Sequence, residues 1–413
     1  MPREGGGDAR AAAEAVARQS YGKLVAFLAA RTGDVAGAED ALSDAFAAAL
    51  ADWPAIGVPA SPEAWLMTVA KRRLVDAGRR RKGGEAAAPH LKLIADELDA
   101  ASAAPRIPDD RLLLMFACAH PGIDAEIRAP LILQTILGLD AVAIGSAFLV
   151  APATMGQRLV RAKTKIRQAG IPFRMPEPEE LGERVEAVLD AIYAAFSEGW
   201  TDPAGTETRR RELSEEALWL GRLVVSLLPD APEALGLMAL MLHAEARRAA
   251  RRNAAGEYVP LAAQDPAAWD GALIDEAEAL LGRAGAMRKP GRYQLEAAVQ
   301  SAHVIRRESG RADWPAIERL YDALLAMTGS PVVAINRAIA IAETRGPAAG
   351  LAARDQTAGD PRIAEYQPYW AARAELLVRA GEAAAARAAY DHAIGLEADP
   401  AGRRFLQQQR ARA

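Results

Sequence analysis

The chain has 413 residues, 51% of them hydrophobic, and carries 50 basic against 54 acidic side chains. A single cysteine, Cys118, excludes an internal disulfide and a multi-thiolate zinc site. High alanine with only 5% aromatics favours close helix-on-helix packing over a β-sandwich, so an all-α chain of two or three domains is expected. The opening MPREGGGDARAAAEAVARQS lacks the unbroken apolar core of a signal peptide. No stretch approaches the roughly 20 uncharged apolar residues that span a bilayer, so a cytoplasmic location without a membrane partner is expected.

Helical patterning runs from about Ala11 to Arg81 and stops at KGGEAAAPH, where paired glycines and a proline break it. Within it, DVAGAEDALSDAFAAAL clusters Asp34, Glu39, Asp40 and Asp44 around Leu42, Phe46 and Leu50. Such acids suit a basic protein partner, or simply the positive end of a helix dipole. Next, SPEAWLMTVAKRRLVDAGRRRK offers Ser61 as a cap, Pro62 at the first helical position and Glu63 in the first turn. Leu66, Ala70, Leu74 and Ala77 form its apolar stripe, which leaves Lys71, Arg72, Arg79 and Arg80 to project. Residues 83–108 read as a linker, with a helical piece at LKLIADELD.

A second helical unit is expected over 109–173, where Cys118 reads as a buried small hydrophobe. It contains LDAVAIGSAFLVAP, a short amphipathic helix through Val142, Ile144, Ala147 and Phe148 followed by a break. Then comes ATMGQRLVRAKTKIR, with five basic side chains and no acid. Met155, Leu159, Ala162 and Ile166 recur on one face, and Gln157, Arg158, Arg161 and Lys165 occupy the other. Short helix, tight turn and basic helix form the helix-turn-helix pattern. Arginine is the strongest reader of guanine edges, lysine and arginine together hold phosphates, and the small Thr154 and Gly156 permit close backbone approach.

IPFRMPEPEE closes that unit as a stiffened hinge, and residues 174–413 read as helical hairpins punctuated by breaks such as LLPDAPEA, TGSP and TRGP. The segment WAARAELLVRAGEAAAARAAYDHAIGLEADP places Ala374, Ala386, Tyr390 and Ala393 near the small-and-aromatic pattern of a tetratricopeptide repeat. Charge divides unevenly, at +3 through Arg174 and −7 beyond it. The balancing acid therefore sits mainly outside the basic helices.

AEDALSDAFAAALADWP, PEAWLMTVAKRRLVDAGRRRK and RLVRAKTKIRQAGIPF resemble bacterial RNA polymerase sigma factors of the sigma-70 family, extracytoplasmic-function (ECF) class. LLPDAPEALGLMALMLHAEARRAAR and the tail resemble the subgroup with a long tetratricopeptide-like extension. The resemblance implies two small helical sigma domains followed by a TPR-like one: region 2 over 11–82, the linker, region 4 over 109–173, and the extension over 174–413. It also implies that Glu39, Asp40 and Asp44 dock on core RNA polymerase. Trp65, Lys71, Arg72, Arg79 and Arg80 would melt and read the −10 element of promoter DNA, and Thr154, Gln157, Arg158, Arg161 and Lys165 would read the −35 element. The extension would regulate activity or recruit a protein partner. Arg72 stands where relatives usually have asparagine, and Gly145 and Gly156 where alanine is typical.

No catalytic constellation is present in the sequence. The five histidines are dispersed and neither HExxH nor a P-loop occurs, so neither enzymatic activity nor a cofactor is expected. Two competing readings are a helical-repeat scaffold whose helix-turn-helix serves no sigma role, and a nucleic-acid-processing enzyme. The enzyme would need a carboxylate partner cluster for Glu39, Asp40 and Asp44, and none is evident.

Overall fold

The computed structural model describes residues 5–81, 109–148, 150–200, 208–355, 363, 365–397 and 399–413. Its described residues form helices and no strand; one isolated bridge pairs Arg252 with Tyr258. They fall into two compact units, Met1–Ala195 and Phe196–Ala413. The linker assigned to 83–108 lies outside the described residues.

Three helices open the first unit: α1 (Gly5–Thr32), α2 (Val35–Ile56) and α3 (Pro62–Arg81). Asp34 caps α2 by accepting the Gly37 N–H at 3.0 Å, and Gly57, at φ 84°, ends it. Leu24, Phe27 and Leu28 of α1, Leu42 and Trp53 of α2 and Leu66 of α3 are fully buried. Four more helices follow, α4 (Arg111–Cys118), α5 (Ala125–Leu137), α6 (Ala141–Ala147) and α7 (Pro152–Ala169). Cys118 is buried against Thr135, 3.7 Å away, and burial pushes its thiol up to about 12, the behaviour of an inert core residue.

The two helical sets expected over 11–82 and 109–173 pack on each other, because α1 contacts α4 and α5 as well as α2. They approach tightly at Gly22, where a Cβ would run into the backbone carbonyl of Ile136. Arg31 adds an ion pair to Asp110 at 2.7 Å across the same seam. The first unit runs on to Ala195, so the next helix belongs to it except for the last turn, Phe196–Trp200, which falls in the second unit. Helix α8 (Leu181–Trp200) buries Val188, Leu189, Ile192 and Ala195, and its Glu183 pairs with Arg128.

In the second unit, α9 (Thr208–Leu227), α10 (Pro232–Ala246), α11 (Gly271–Ala286), α12 (Arg292–Val304), α13 (Trp314–Thr328), α14 (Pro331–Arg345), α15 (Pro347–Asp355), α16 (Gln367–Arg379), α17 (Ala383–Leu396) and α18 (Pro400–Arg412) pack mainly on chain neighbours. Helix α10 is buried without a break from Ala234 to His243, so it is the centre on which α11 and α12 lie. At the far end, Ala374, Ala386, Tyr390 and Ala393 share one core cluster with Leu377 and Leu406. The small side chains let α16 and α17 touch, and the tyrosine fills the space beside them. The pentapeptide DWPAI, which occurs twice, serves two purposes: Trp53 is buried in the last turns of α2, whereas Asp313 caps the start of α13.

Two histidines of this unit make an acid-sensitive core. Burial, then Arg247, holds His243 at about 4; burial, then Arg247 and Arg306, does the same to His303. Below the ordinary histidine pKa near 6.5 the unfolded chain takes up protons that the native side chains refuse, so stability falls as pH drops toward 4. Each contributes about 3 kcal/mol of that loss at most, from roughly 1.4 kcal/mol per pKa unit. Urea unfolding between pH 7 and pH 4.5 should show the decline, and His243→Met should flatten it.

Candidate nucleic-acid interface

The turn between α6 and α7 is built around Gly145. A Cβ there would sit 2.5 Å from the Val150 carbonyl oxygen and 3.5 Å from Pro152, so only glycine lets the turn fold back on α6. The Val150 N–H donates to the Gly145 carbonyl at 2.8 Å and closes the loop. Asp140 caps α6 by accepting the N–H groups of Val142 and Ala143. Of the apolar face read for α6, Ile144 is buried and Phe148 half-buried, Val142 is corrected, being 63% exposed, and the Ala147 side chain lies outside the described residues.

Pro152 opens α7, and Gly170 in the left-handed conformation closes it. Met155, Leu159, Ala162 and Ile166 are all buried, which fixes the rotation of the helix and turns its other face outward. Thr154, Gln157, Arg158, Arg161 and Lys165 are exposed along that face. Arg158 lies 3.4 Å from Glu126 and Lys165 3.8 Å from Asp124, both carboxylates being more than 80% exposed. Such surface pairs are worth about 1 kcal/mol or less, so a phosphate can displace them. Arg161 has no ion pair among the described residues.

Gly156 has a different role from Gly145. A Cβ on it meets only the Ala141 methyl at 3.8 Å, which is ordinary contact. Packing does not require a glycine there.

Helix α3 presents a second basic face. Leu66 and Ala70 are buried, Leu74 and Ala77 are half-buried, and Arg72 and Arg73 are exposed. Lys71 is half-buried, so it projects less freely than its neighbours. Trp65 is also half-buried and stands edge-on to the buried Trp53, ring centroids 5.6 Å apart. Arg79 and Arg80 fall on the last turn of α3, but their side chains lie outside the described residues. Glu63 turns inward, meeting Ser20 and lying 3.6 Å from Lys23 on α1.

The acidic trio on α2 is divided. Asp40 and Asp44 are exposed, with Arg73 lying 3.8 Å from Asp44. Glu39 is turned inward instead. Its carboxylate meets Lys163 of α7 at 2.6 Å, and both side chains are about 90% buried. Burial raises the Glu39 carboxyl above the ordinary range, and Lys163 offsets only part of that. Beside it, Arg167 approaches Asp34 at 3.4 Å, so α7 is tied to α2 by two basic residues on its inner flank.

The basic stretch therefore serves two purposes that its composition conceals. Arg158, Arg161 and Lys165 face solvent, while Lys163 faces α2. A helical wheel places Lys163 beside the apolar stripe, but it does not identify Glu39, 124 positions earlier, as its partner.

No helix among the described residues is long and apolar enough to cross a membrane. Residues 16–83 match the family model for Sigma-70 region 2, and residues 184–285 match that of a family of unknown function, DUF6596. Uncharacterized protein R00370 of Rhizobium meliloti (strain 1021) is 38% identical over 381 residues, an overlap of 90% of this chain and 89% of that protein. No solved structure matches.

Proposed function

We propose that the chain, which matches Sigma-70 region 2 over residues 16–83 and belongs to one family with the Rhizobium meliloti protein along nine-tenths of its length, is a sigma factor of the sigma-70 family and of its ECF class. It directs RNA polymerase to promoters through two DNA contacts and one protein contact. The observation that carries the reading is the exposed row Thr154, Gln157, Arg158, Arg161 and Lys165 on a helix whose opposite face is buried. A helix held that way offers guanidinium forks to base edges and cations to phosphates.

In this reading α7 enters the major groove at the −35 element. The α3 face, with Arg72 exposed and Trp65 beside it, meets the −10 element, where a base extruded from the stack is captured and its unstacking cost offset. Asp40 and Asp44 meet core polymerase, and Glu39 joins them only if its pair with Lys163 opens. The acidic carboxyl-terminal unit, with its hairpin of small residues and Tyr390 resembling a tetratricopeptide repeat, regulates activity or recruits a protein partner.

Run-off transcription with core polymerase on genomic fragments tests the assignment. Arg158→Ala with Arg161→Ala should reduce initiation at a −35-dependent promoter by at least tenfold, since each specific contact is worth about 1–3 kcal/mol. Co-purification with core polymerase should be unchanged. Full initiation by the double variant on every promoter tried would remove α7 as the reading helix.

A further inference from the structure

The second unit holds a cavity of about 1340 Å³, larger than the roughly 300–1,000 Å³ usual for a small-ligand site. Arg247 and Arg251 at the end of α10 and Arg306 after α12 line it. None of the three guanidiniums makes an ion pair with a carboxylate among the described residues. Their protein partners are neutral acceptors. Arg247 donates to the His243 carbonyl at 3.1 Å and to the Gln300 side-chain oxygen, and Arg251 donates to the Trp200 carbonyl at 2.9 Å. Arg306 spends its terminal nitrogens on the carbonyls of Leu261, Ala262 and Gln264.

Three positive charges thus face one cavity, and they repel one another. Burial and then Arg251 and Arg306 bring Arg247 down to about 10. The acids on the wall are committed elsewhere: Asp313 caps α13 through the Ala316 N–H at 3.0 Å, and Glu343 pairs with Arg379. A third, Glu375, is raised toward its neutral form by burial. The one further acid whose field reaches Arg251, Asp399, is paired with Arg252 at 3.2 Å. Half-buried cations with no carboxylate of their own are costly, so a ligand that brings an anion gains what the protein alone lacks. Arg247 Nη1 and Arg251 Nη2 have no protein acceptor among the described residues, and those are the donors left for it.

The cavity also offers rings. Trp314 stands edge-on to His303 at 5.3 Å, and Tyr258 and Tyr321 line the same space. Trp200 is covered instead by Arg251, whose guanidinium lies 4.4 Å from the ring centroid. A clustered positive charge of three suits a multiply charged anion better than a lone carboxylate, and the volume leaves room for a planar base beside it.

We propose that this cavity is a binding site for a nucleoside phosphate, its phosphates held by Arg247 and Arg251 under the field of Arg306 and its base set among Trp314, Tyr258 and Tyr321. The site is independent of the promoter reading, and its test needs no DNA or polymerase.

Calorimetry and tryptophan fluorescence on the full chain, with ADP, pyrophosphate and adenosine as probes, measure it. ADP should bind saturably, pyrophosphate at least tenfold more weakly, and adenosine not detectably. Gln300→Glu sets a carboxylate on Arg247, so it should raise Tm while weakening ADP at least tenfold. Arg251→Met should weaken ADP similarly and serves if Gln300→Glu does not fold. Arg158→Ala should leave ADP binding unchanged, which separates the cavity from the basic face of α7. Absence of saturable ADP binding, equal binding of adenosine, or ADP affinity unchanged in both cavity variants would overturn the site; pyrophosphate binding as tight as ADP would overturn the base pocket.

Discussion

Gly22→Val is expected to separate the two helical sets of the first unit, whereas Gly156→Ala in the basic helix is expected to be harmless. At Gly22 any Cβ collides with the Ile136 carbonyl, a clash of backbone on backbone with no side chain to rotate away, Gly22 lying in the middle of α1 and Ile136 in the last turn of α5. Overpacking a tight interior contact costs about 1–3 kcal/mol, and more where no side chain can rotate away. Valine should therefore cost at least about 3 kcal/mol, read as a lower urea midpoint for the transition of the first unit. Alanine at Gly156 should be neutral, or stabilise by up to about 1 kcal/mol as a better helix former with open space around it. The same pair should differ in DNA binding: Gly156→Ala keeps the exposed face of α7, and Gly22→Val removes the support beneath it. An unchanged urea midpoint for Gly22→Val would mean that α1 and α5 do not cross as closely as described.

That contrast marks what periodicity can and cannot reveal. The spacing of Met155, Leu159, Ala162 and Ile166 alone established which face of α7 is buried, because a helix has one apolar stripe and it must face inward. The class of fold and the hairpins after Trp200 were legible for the same reason. Gly22 carried no signal, since a glycine inside an alanine-rich helix has no pattern until its neighbour is known. Likewise the seam joining 11–82 to 109–173 depends on Arg31 with Asp110 and on Lys163 with Glu39, pairs far apart in sequence. Val142 failed for a local reason: helix α6 is only seven residues long, too short for its apolar spacing to define one face.

Lys163→Met should be among the most damaging single changes on the basic helix, although it removes a charge that touches no DNA in the proposed complex. It leaves Glu39 enclosed without its cation, and one Glu39 oxygen already lacks a hydrogen-bond partner. Breaking a buried ion pair from one side costs about 3–5 kcal/mol, whereas replacing both partners with apolar residues is often neutral. The double variant Lys163→Met with Glu39→Met should therefore recover most of the loss, a coupling that a double-mutant cycle in urea reads directly. The pH dependence has a definite sign. The native Glu39 carboxyl is already raised by burial, and loss of Lys163 raises it further, so the native state of the single variant binds a proton that the unfolded chain, with its ordinary carboxyl near 4.5, does not. Stability of Lys163→Met should then increase as pH falls from 7 through the raised value and level off near 4.5. The acid sensitivity of His243 and His303 opposes this in the second unit, so the comparison is made against the wild-type chain at each pH. If the single variant were as stable as the double one at pH 7, the Glu39–Lys163 pair would have to be open in solution, and Glu39 would then be free to stand with Asp40 and Asp44 as a docking charge.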